Sequence, residues 1–387
     1  MRLLVVASRF PYPLQKGDKL RLYHQIKSLS EFAEIYLYTT SIVDVSKDDK
    51  EELLVYCKEI KVHQLSQANM IGNVGKSLFS SLPLQVGLFT TIKIQNEIKT
   101  FAEANKIDHI YCQLARMAEN VKRLSYPKTI DYMDAFGFGM TRRAEMGGIL
   151  KRLTYTFEAK RMKRYEHEIY SQFENHTIIT IQDKDRMELP KNDVTVVPNG
   201  VDTEFFKNHG GILDYDIVFV GNMGYLPNID AAKLLIKKIL PKTNKKIGRE
   251  LNVLIAGARP SKEVIDLAKE KGVTVGGWME DIRSAYKNGK IFVAPIFKGI
   301  GQQNKILEAM SMEIPCIVND NVAKGLDLVD GKHCLVANSE DEFVDQIIKL
   351  LEEPILYTNL LVNGKELVMN KFVWKKQTQA LIDLIIS

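Results

Sequence analysis

The stretch GIGQQNKILEAM, residues 299–310, brings together the residue types needed to hold a phosphorylated ligand. Gly299 and Gly301 permit a backbone turn that aims N–H groups at one point. The helical pattern that follows directs its partial positive end at the same place, and Lys305 adds a full charge. Such a loop can cradle a diphosphate. Glu308 lies one helical turn beyond Asn304 and Lys305, where a carboxylate can accept hydrogen bonds from the vicinal hydroxyls of a ribose. The same two charges also fit a plain exposed helix pair.

Other segments place polar residues after apolar runs. In SRFPYPLQKGDKLRLYHQIKSL (8–29), Pro11 and Pro13 hold the chain extended, Gly17 permits a tight turn, and Lys19 and Arg21 open a helix. That helix start suits a phosphate, or is a solvated helix end. Asn222 and Gly224 in NMGYLPNID (222–230) fall at a strand end, where a ligand can approach the backbone or the chain simply turns into a helix. In TIDYMDAFGFGMTRRAEM (129–146), Asp131 and Asp134 close a strand. A carboxylate there can orient a substrate hydroxyl or take its proton, or it can cap the next helix. His24, His109, His167 and His176 show no pairing pattern and read as core or surface residues.

Between 142 and 164 there are eight basic residues (Arg142, Arg143, Lys151, Arg152, Lys160, Arg161, Lys163 and Arg164) against Glu145 and Glu158. Leu150, Leu153, Tyr155 and Phe157 interleave with them. This pattern fits an amphipathic surface that meets anionic lipid or a lipid diphosphate, and it fits a solvated helical face equally. The apolar segment SLFSSLPLQVGLF (77–89) either reinforces a membrane contact or belongs to the core.

The elements that must position these residues are legible as short apolar runs alternating with helical patterns, the signature of parallel α/β sheets. In the first half the runs are 2–8, 34–40, 59–65, 109–113, 128–133, 176–181 and 195–199. In the second half they are 216–222, 251–257, 273–277, 291–296, 315–320 and 333–338. Turn signals at Asn199-Gly200 and Gly210-Gly211 separate the two sets. The expected organisation is two Rossmann-like doubly wound domains, over 1–198 and 199–370. A closing amphipathic helix over 371–387 returns toward the first.

A chain of 387 residues is long enough for two cores, and 45% hydrophobic with 26% charged residues describes a globular protein. A net charge of +5 suits an anionic small ligand or membrane surface and falls short of a nucleic-acid binder. Cys57, Cys112, Cys316 and Cys334 lack ligand or disulfide spacing. No apolar window is long enough to span a membrane, so the expected location is cytoplasmic, with peripheral contact to the inner membrane face. The three-glycine fingerprint is missing after the first strand, which argues against dinucleotide binding in that mode.

Taken in order, VPNGVDTEFF, FVGNMGYLPNIDAAKLL, LIAGARP, VGGWMEDI and APIFKGIGQQNKILEAMSMEIPCIV resemble the landmarks of family 4 glycosyltransferases of the GT-B fold. The similarity is greatest to the exopolysaccharide and PEP-CTERM-associated sugar transferases. It is strong over 195–345 and looser in the first domain, where PYPLQKGDKLRLYHQIKSL carries it.

The resemblance implies an acceptor-binding first domain over 1–198, a donor-binding second domain over 199–370 and a central cleft between them. It implies transfer of a sugar from a UDP- or GDP-linked donor to a glycan or lipid-linked acceptor. It further implies retention of configuration, with no metal and no other cofactor. It implies that Glu308 binds the donor ribose, that Gly299, Gly301, Gln302, Gln303 and Asn304 face the donor sugar and phosphates, and that Lys305 lies by the diphosphate. Gly277, Trp278 and Met279 fall beside the nucleobase, Gly17 closes over the phosphates, and Lys19, Asn222, Gly224 and Arg259 complete the donor-binding set. Asp131, Asp134 and Lys305 are the candidate catalytic groups. The better-known form of the family has a further glutamate eight positions before the ribose ligand; here that position is Ile300. A GT-B sugar-nucleotide epimerase and a silent nucleotide-sugar-binding protein are the alternative readings.

Overall fold

The computed structural model describes residues 1–145, 148–189, 193–208, 210–211, 213–297 and 302–386. The chain divides into two compact units, Met1–Asn199 with Trp374–Ser387, and Gly200–Val373.

The sheet of the first unit contains β1 (Arg2–Ala7), β2 (Glu34–Ser41), β3 (Cys57–Gln64), β4 (His109–Gln113), β5 (Lys128–Asp131), β6 (Asn175–Ile178) and β7 (Val194–Val196). They lie in the order β3-β2-β1-β4-β5-β6-β7, all parallel. Leu3 through Ala7 are fully buried, as a central parallel strand covered on both faces by helices requires. Chain direction across the sheet reverses between β1 and β4. That reversal leaves a crevice at the carboxyl ends of those two strands.

The sheet of the second unit contains β8 (Tyr215–Val220), β9 (Val253–Ala256), β10 (Val273–Gly277), β11 (Gly289–Ala294), β12 (Cys316–Val318) and β13 (Leu335–Val336). Their order is β10-β9-β8-β11-β12-β13, again parallel, with the reversal between β8 and β11.

The final helix, Trp374–Ile386, belongs to the first unit. It buries Trp374, Thr378, Leu381, Ile382 and Ile385, which share one face at helical spacing. Trp374 stacks on His24 at 4.8 Å, and the Leu384 carbonyl accepts from Asn175 at 2.7 Å. Each buried aliphatic side chain on this face contributes about 1.5–3 kcal/mol.

Some strands end earlier than the apolar runs suggest. β5 stops at Asp131 because Met133 takes a left-handed conformation, φ +64°. β6 stops at Ile178, and Ile181 starts the helix Ile181–Arg186, capped by the Thr180 hydroxyl on the Asp183 N–H.

Candidate functional site

In the second unit the reversal between β8 and β11 collects most of the expected donor-binding residues. Gly221 and Asn222 follow β8 directly, and β11 leads through the 297–303 segment into the helix Asn304–Ser311. Gly299 and Gly301, with Ile300, lie outside the described residues. Gln302, Gln303 and Asn304 stand partly exposed at the helix start, and the Asn304 side-chain oxygen has no hydrogen-bond partner among the described residues.

Lys305 reaches back from this helix to the end of β8. Its Nζ donates to Asn228 Oδ1 at 2.6 Å and lies 5.4 Å from the centre of the Phe219 ring. Asn228 in turn donates to the Asn222 carbonyl at 3.0 Å. A side chain at 221 would displace this pair: a Cβ there would sit 2.8 Å from Asn228 Nδ2 and 3.2 Å from Lys305 Nζ. Gly257 closes the same corner with φ +131°, and a Cβ on it would overlap the Gly221 carbonyl. Burial pushes the Lys305 amine down to about 8, partly offset by Glu308.

Glu308 accepts from the Tyr286 hydroxyl at 2.7 Å through Oε2. Its other oxygen has no hydrogen-bond partner among the described residues, and the side chain keeps partial contact with solvent. Burial raises the carboxyl, while Tyr286 and Lys305 favour its charged form. Lys305 and Glu308 therefore turn to different neutral partners, and the helix-pair alternative does not describe them.

Arg259, after β9, holds a left-handed backbone at φ +57° with its guanidinium exposed, in a region costly for a side-chain-bearing residue. Gly224 packs against the Arg259 carbonyl, 3.0 Å from where a Cβ would lie. Gly277, at φ +63°, accepts through its carbonyl from the Gly257 N–H at 2.7 Å. Trp278 is exposed, and Met279 packs against the core.

The first unit corrects two readings. Asp131 is fully buried: it accepts from Arg21 Nε at 2.6 Å, the Tyr111 hydroxyl at 2.9 Å and the Met133 N–H at 3.2 Å. It has no open face for an acceptor, so the expectation that Asp131 is catalytic fails on burial. Arg21 is likewise buried and also donates to the Val197 carbonyl and Asn199. It pins the Gly17–Leu29 helix to the sheet, so Arg21 meets no phosphate.

Asp134 is exposed and makes no side-chain hydrogen bond among the described residues. It caps nothing: the first N–H groups of the helix Phe136–Glu145 go to Glu166 at 3.0 and 3.2 Å. The protein packed around Asp134, and then Asp183, pushes its carboxyl up to about 6.

Lys19 donates to the Tyr12 carbonyl at 3.0 Å, and burial lowers its amine. Gly17 opens the helix with open space around it. His109 and His176 sit at the starts of β4 and β6, at the opposite edge of the sheet, and burial pushes both down to about 4.

The basic run lies on the helix pair Phe136–Glu145 and Ile149–Tyr170. Ile149, Leu150, Leu153 and Phe157 form an exposed stripe on one face, with Lys151, Arg152, Lys160, Lys163 and Arg164 exposed around it. Arg161 departs from that surface: it is buried, donating to the Ser77 and Ser80 carbonyls beneath an exposed Phe79. The 77–89 segment is therefore split, since Val86 and Phe89 are core while Leu78 and Phe79 face out.

Sequence reading missed Asn228, Tyr286, Gly221 and Gly257. The paired asparagines in NMGYLPNID were the available signal for the first, and nothing in the pattern marked Tyr286. Among the described residues no group of three or more His, Cys, Asp or Glu side chains could hold a metal ion. Among them, too, no helix is long and apolar enough to cross a membrane.

Residues 214–353 match the model of a family described as Glycosyl transferases group 1. An uncharacterised 44.6 kDa protein in the cps region of Klebsiella pneumoniae is 22% identical over 96% of this chain and 94% of its own length. HepE of Anabaena, solved with UDP and glucose, superposes with a TM-score of 0.67 at 13% identity, covering 99% of both chains. A variant of TarM from S. aureus, in complex with fondaparinux, α-GlcNAc-glycerol and UDP, superposes at 0.70 with 11% identity over 100% of both. At those identities the solved structures establish the architecture, and the family match over the second sheet supplies the activity. The chain is a glycosyltransferase (EC 2.4) of the GT-B fold, with a glycosyl transferases group 1 domain in its second unit.

Proposed function

We propose that the protein moves a sugar from a UDP- or GDP-linked donor to a glycan or lipid-linked acceptor, with retention of configuration, in surface polysaccharide synthesis. The observation that carries this reading is the separate placement of Lys305 and Glu308 at the reversal point of the second sheet. Lys305, the exposed Arg259 and the start of the Asn304 helix supply positive potential for a diphosphate. The open oxygen of Glu308 suits ribose hydroxyls, and exposed Trp278 offers a face for the base. The glycine at 17 meets no steric demand within the protein, which fits close approach of a ligand.

The ligands named in the HepE and TarM structures, and the cps region of the Klebsiella relative, support the donor class and the polysaccharide setting. Asp134 replaces Asp131 as the acid best placed to meet an acceptor hydroxyl. The apolar stripe with its cationic border fits the interface of an anionic bilayer. Neutralising Lys151, Arg152, Lys160 and Arg164 together should weaken binding to phosphatidylglycerol vesicles in a salt-sensitive way; equal binding to phosphatidylcholine vesicles counts against it.

The donor reading is tested by thermal unfolding with a panel of nucleoside diphosphates, with and without chelator. UDP or GDP is expected to raise the midpoint in both conditions. No shift with any nucleotide contradicts the donor site, and a shift lost on chelation contradicts metal-free binding.

A further inference from the structure

The first unit holds a charged group that no role described above uses. Arg116 follows β4 and is 9% exposed. Among the described residues its Nε has no hydrogen-bond partner, and no carboxylate lies within ion-pair distance of its guanidinium. It lies over the rings of Phe89 and Phe136, at 5.6 and 5.4 Å. Arg21, on the Gly17–Leu29 helix packed against the same sheet, shows the contrast, because its guanidinium is taken up by Asp131, Val197 and Asn199. A buried cation left without an anion is costly, and folding alone gives no reason to keep one.

Its place in the fold supplies the reason. β1 and β4 flank the reversal point of the first sheet, where open parallel sheets take their ligands. Arg9 follows β1, and Arg116 follows β4. Arg9 holds Asp18 at 2.5 Å, so the nearest acid is already engaged. Arg143 and Asp134 are the other charges near Arg116. Burial, then Arg9 and Arg143, push the Arg116 guanidinium down to about 10. The backbone just before it, Leu114, is held at φ +71°, a conformation unfavourable for leucine.

We propose that Arg116, flanked by Arg9 and Arg143, forms an anion subsite at this reversal point that binds a phosphoryl or diphosphoryl group of the acceptor. The planar guanidinium donates in a fork that matches phosphate oxygens, and two further arginines near it suit a multiply charged anion. Assigning the anion to the acceptor rests on the transferase reading above; the subsite itself does not. A lipid-linked diphosphate and a phosphorylated glycan present the same group here.

The test is calorimetric titration of inorganic pyrophosphate into the full chain saturated with UDP, for wild type, Arg116→Gln, Arg143→Gln and Lys305→Ala. Arg116→Gln should weaken pyrophosphate binding about tenfold or more, and Arg143→Gln about threefold, while UDP affinity stays unchanged in both. Lys305→Ala should lose UDP affinity and, at UDP concentrations raised until it is saturated, bind pyrophosphate as wild type does. If Arg116→Gln fails to fold, the exposed Arg143 decides the matter. Wild-type pyrophosphate affinity in the folded arginine variants overturns the subsite, and so does an equal loss of UDP affinity, which would assign these arginines to the donor. Glucuronate binding as tightly as pyrophosphate overturns the phosphoryl assignment. Wild type that binds pyrophosphate but not UDP refutes the donor site alone. To separate lipid from glycan, an undecaprenyl diphosphate-linked sugar in micelles should compete with pyrophosphate if the source is lipid; competition only by a water-soluble glycan phosphate identifies the other.

Discussion

The carboxyl edges of the two sheets carry similar charged residues and use them in opposite ways. In the first unit Arg21 and Asp131 meet each other at 2.6 Å with no solvent exposure. In the second unit Lys305 and Glu308 lie one helical turn apart, yet each bonds a neutral partner, Asn228 or Tyr286. A closed ion pair holds the fold, since each charge already has its counterion. Charges kept apart by neutral partners retain capacity for a ligand. The type of residue at a strand end therefore says less about function than the partner it finds.

The largest expected effect breaks the closed pair. Arg21→Met leaves the Asp131 carboxylate buried without its cation and should lower folding stability by roughly 3–5 kcal/mol. Urea unfolding measures this, and UDP affinity of the remaining folded protein should be unchanged. Asp131→Asn should behave similarly. A folded, fully stable Asp131→Asn variant that had lost transfer activity would return Asp131 to the chemistry.

A smaller effect separates the open pair by pH. The Lys305 amine sits near 8 because of burial, below its ordinary 10.5. Its charge should be lost as pH rises through about 8, so UDP affinity should fall above that pH. The contribution to folding runs the other way. Between about 8 and 10.5 the unfolded chain binds more protons than the folded one, so this group's contribution to stability rises with pH over that window. In Lys305→Met both trends should vanish. Titrations of UDP from pH 6.5 to 9.5 read the first, and thermal unfolding without ligand reads the second.

Much of the architecture was legible, because parallel strands buried on both faces read as continuous apolar runs bounded by turns. RLLVVA, YDIVFV and CIV needed no long-range information. Strand ends were less legible, since β5 stops where Met133 adopts a left-handed backbone that its side chain does not announce. In the site, Lys305 and Glu308 stood out because glycines and a helix pattern surround them. Their partners did not. Asn228 is 77 positions from Lys305, and Asp131 is 110 from Arg21, so only the folded sheet brings them together. Arg116 carried no motif at all, and only the fold shows that no carboxylate among the described residues pairs with it. Asp131 and Asp134 looked equivalent three positions apart, but one points into the sheet and the other out of it.

The proposed donor site gives the phosphates to Lys305 and the ribose to Glu308. Calorimetric titration of UDP and of uridine into wild type, Glu308→Gln and Lys305→Ala tests it most directly. A hydrogen bond to a charged group is worth roughly 1.5–3 kcal/mol, so Glu308→Gln should weaken both ligands about tenfold or more. Lys305→Ala should weaken UDP by a similar factor and leave uridine nearly unchanged. Affinities equal to wild type in folded Glu308→Gln and Lys305→Ala proteins would contradict the account and remove the donor from this edge of the second sheet.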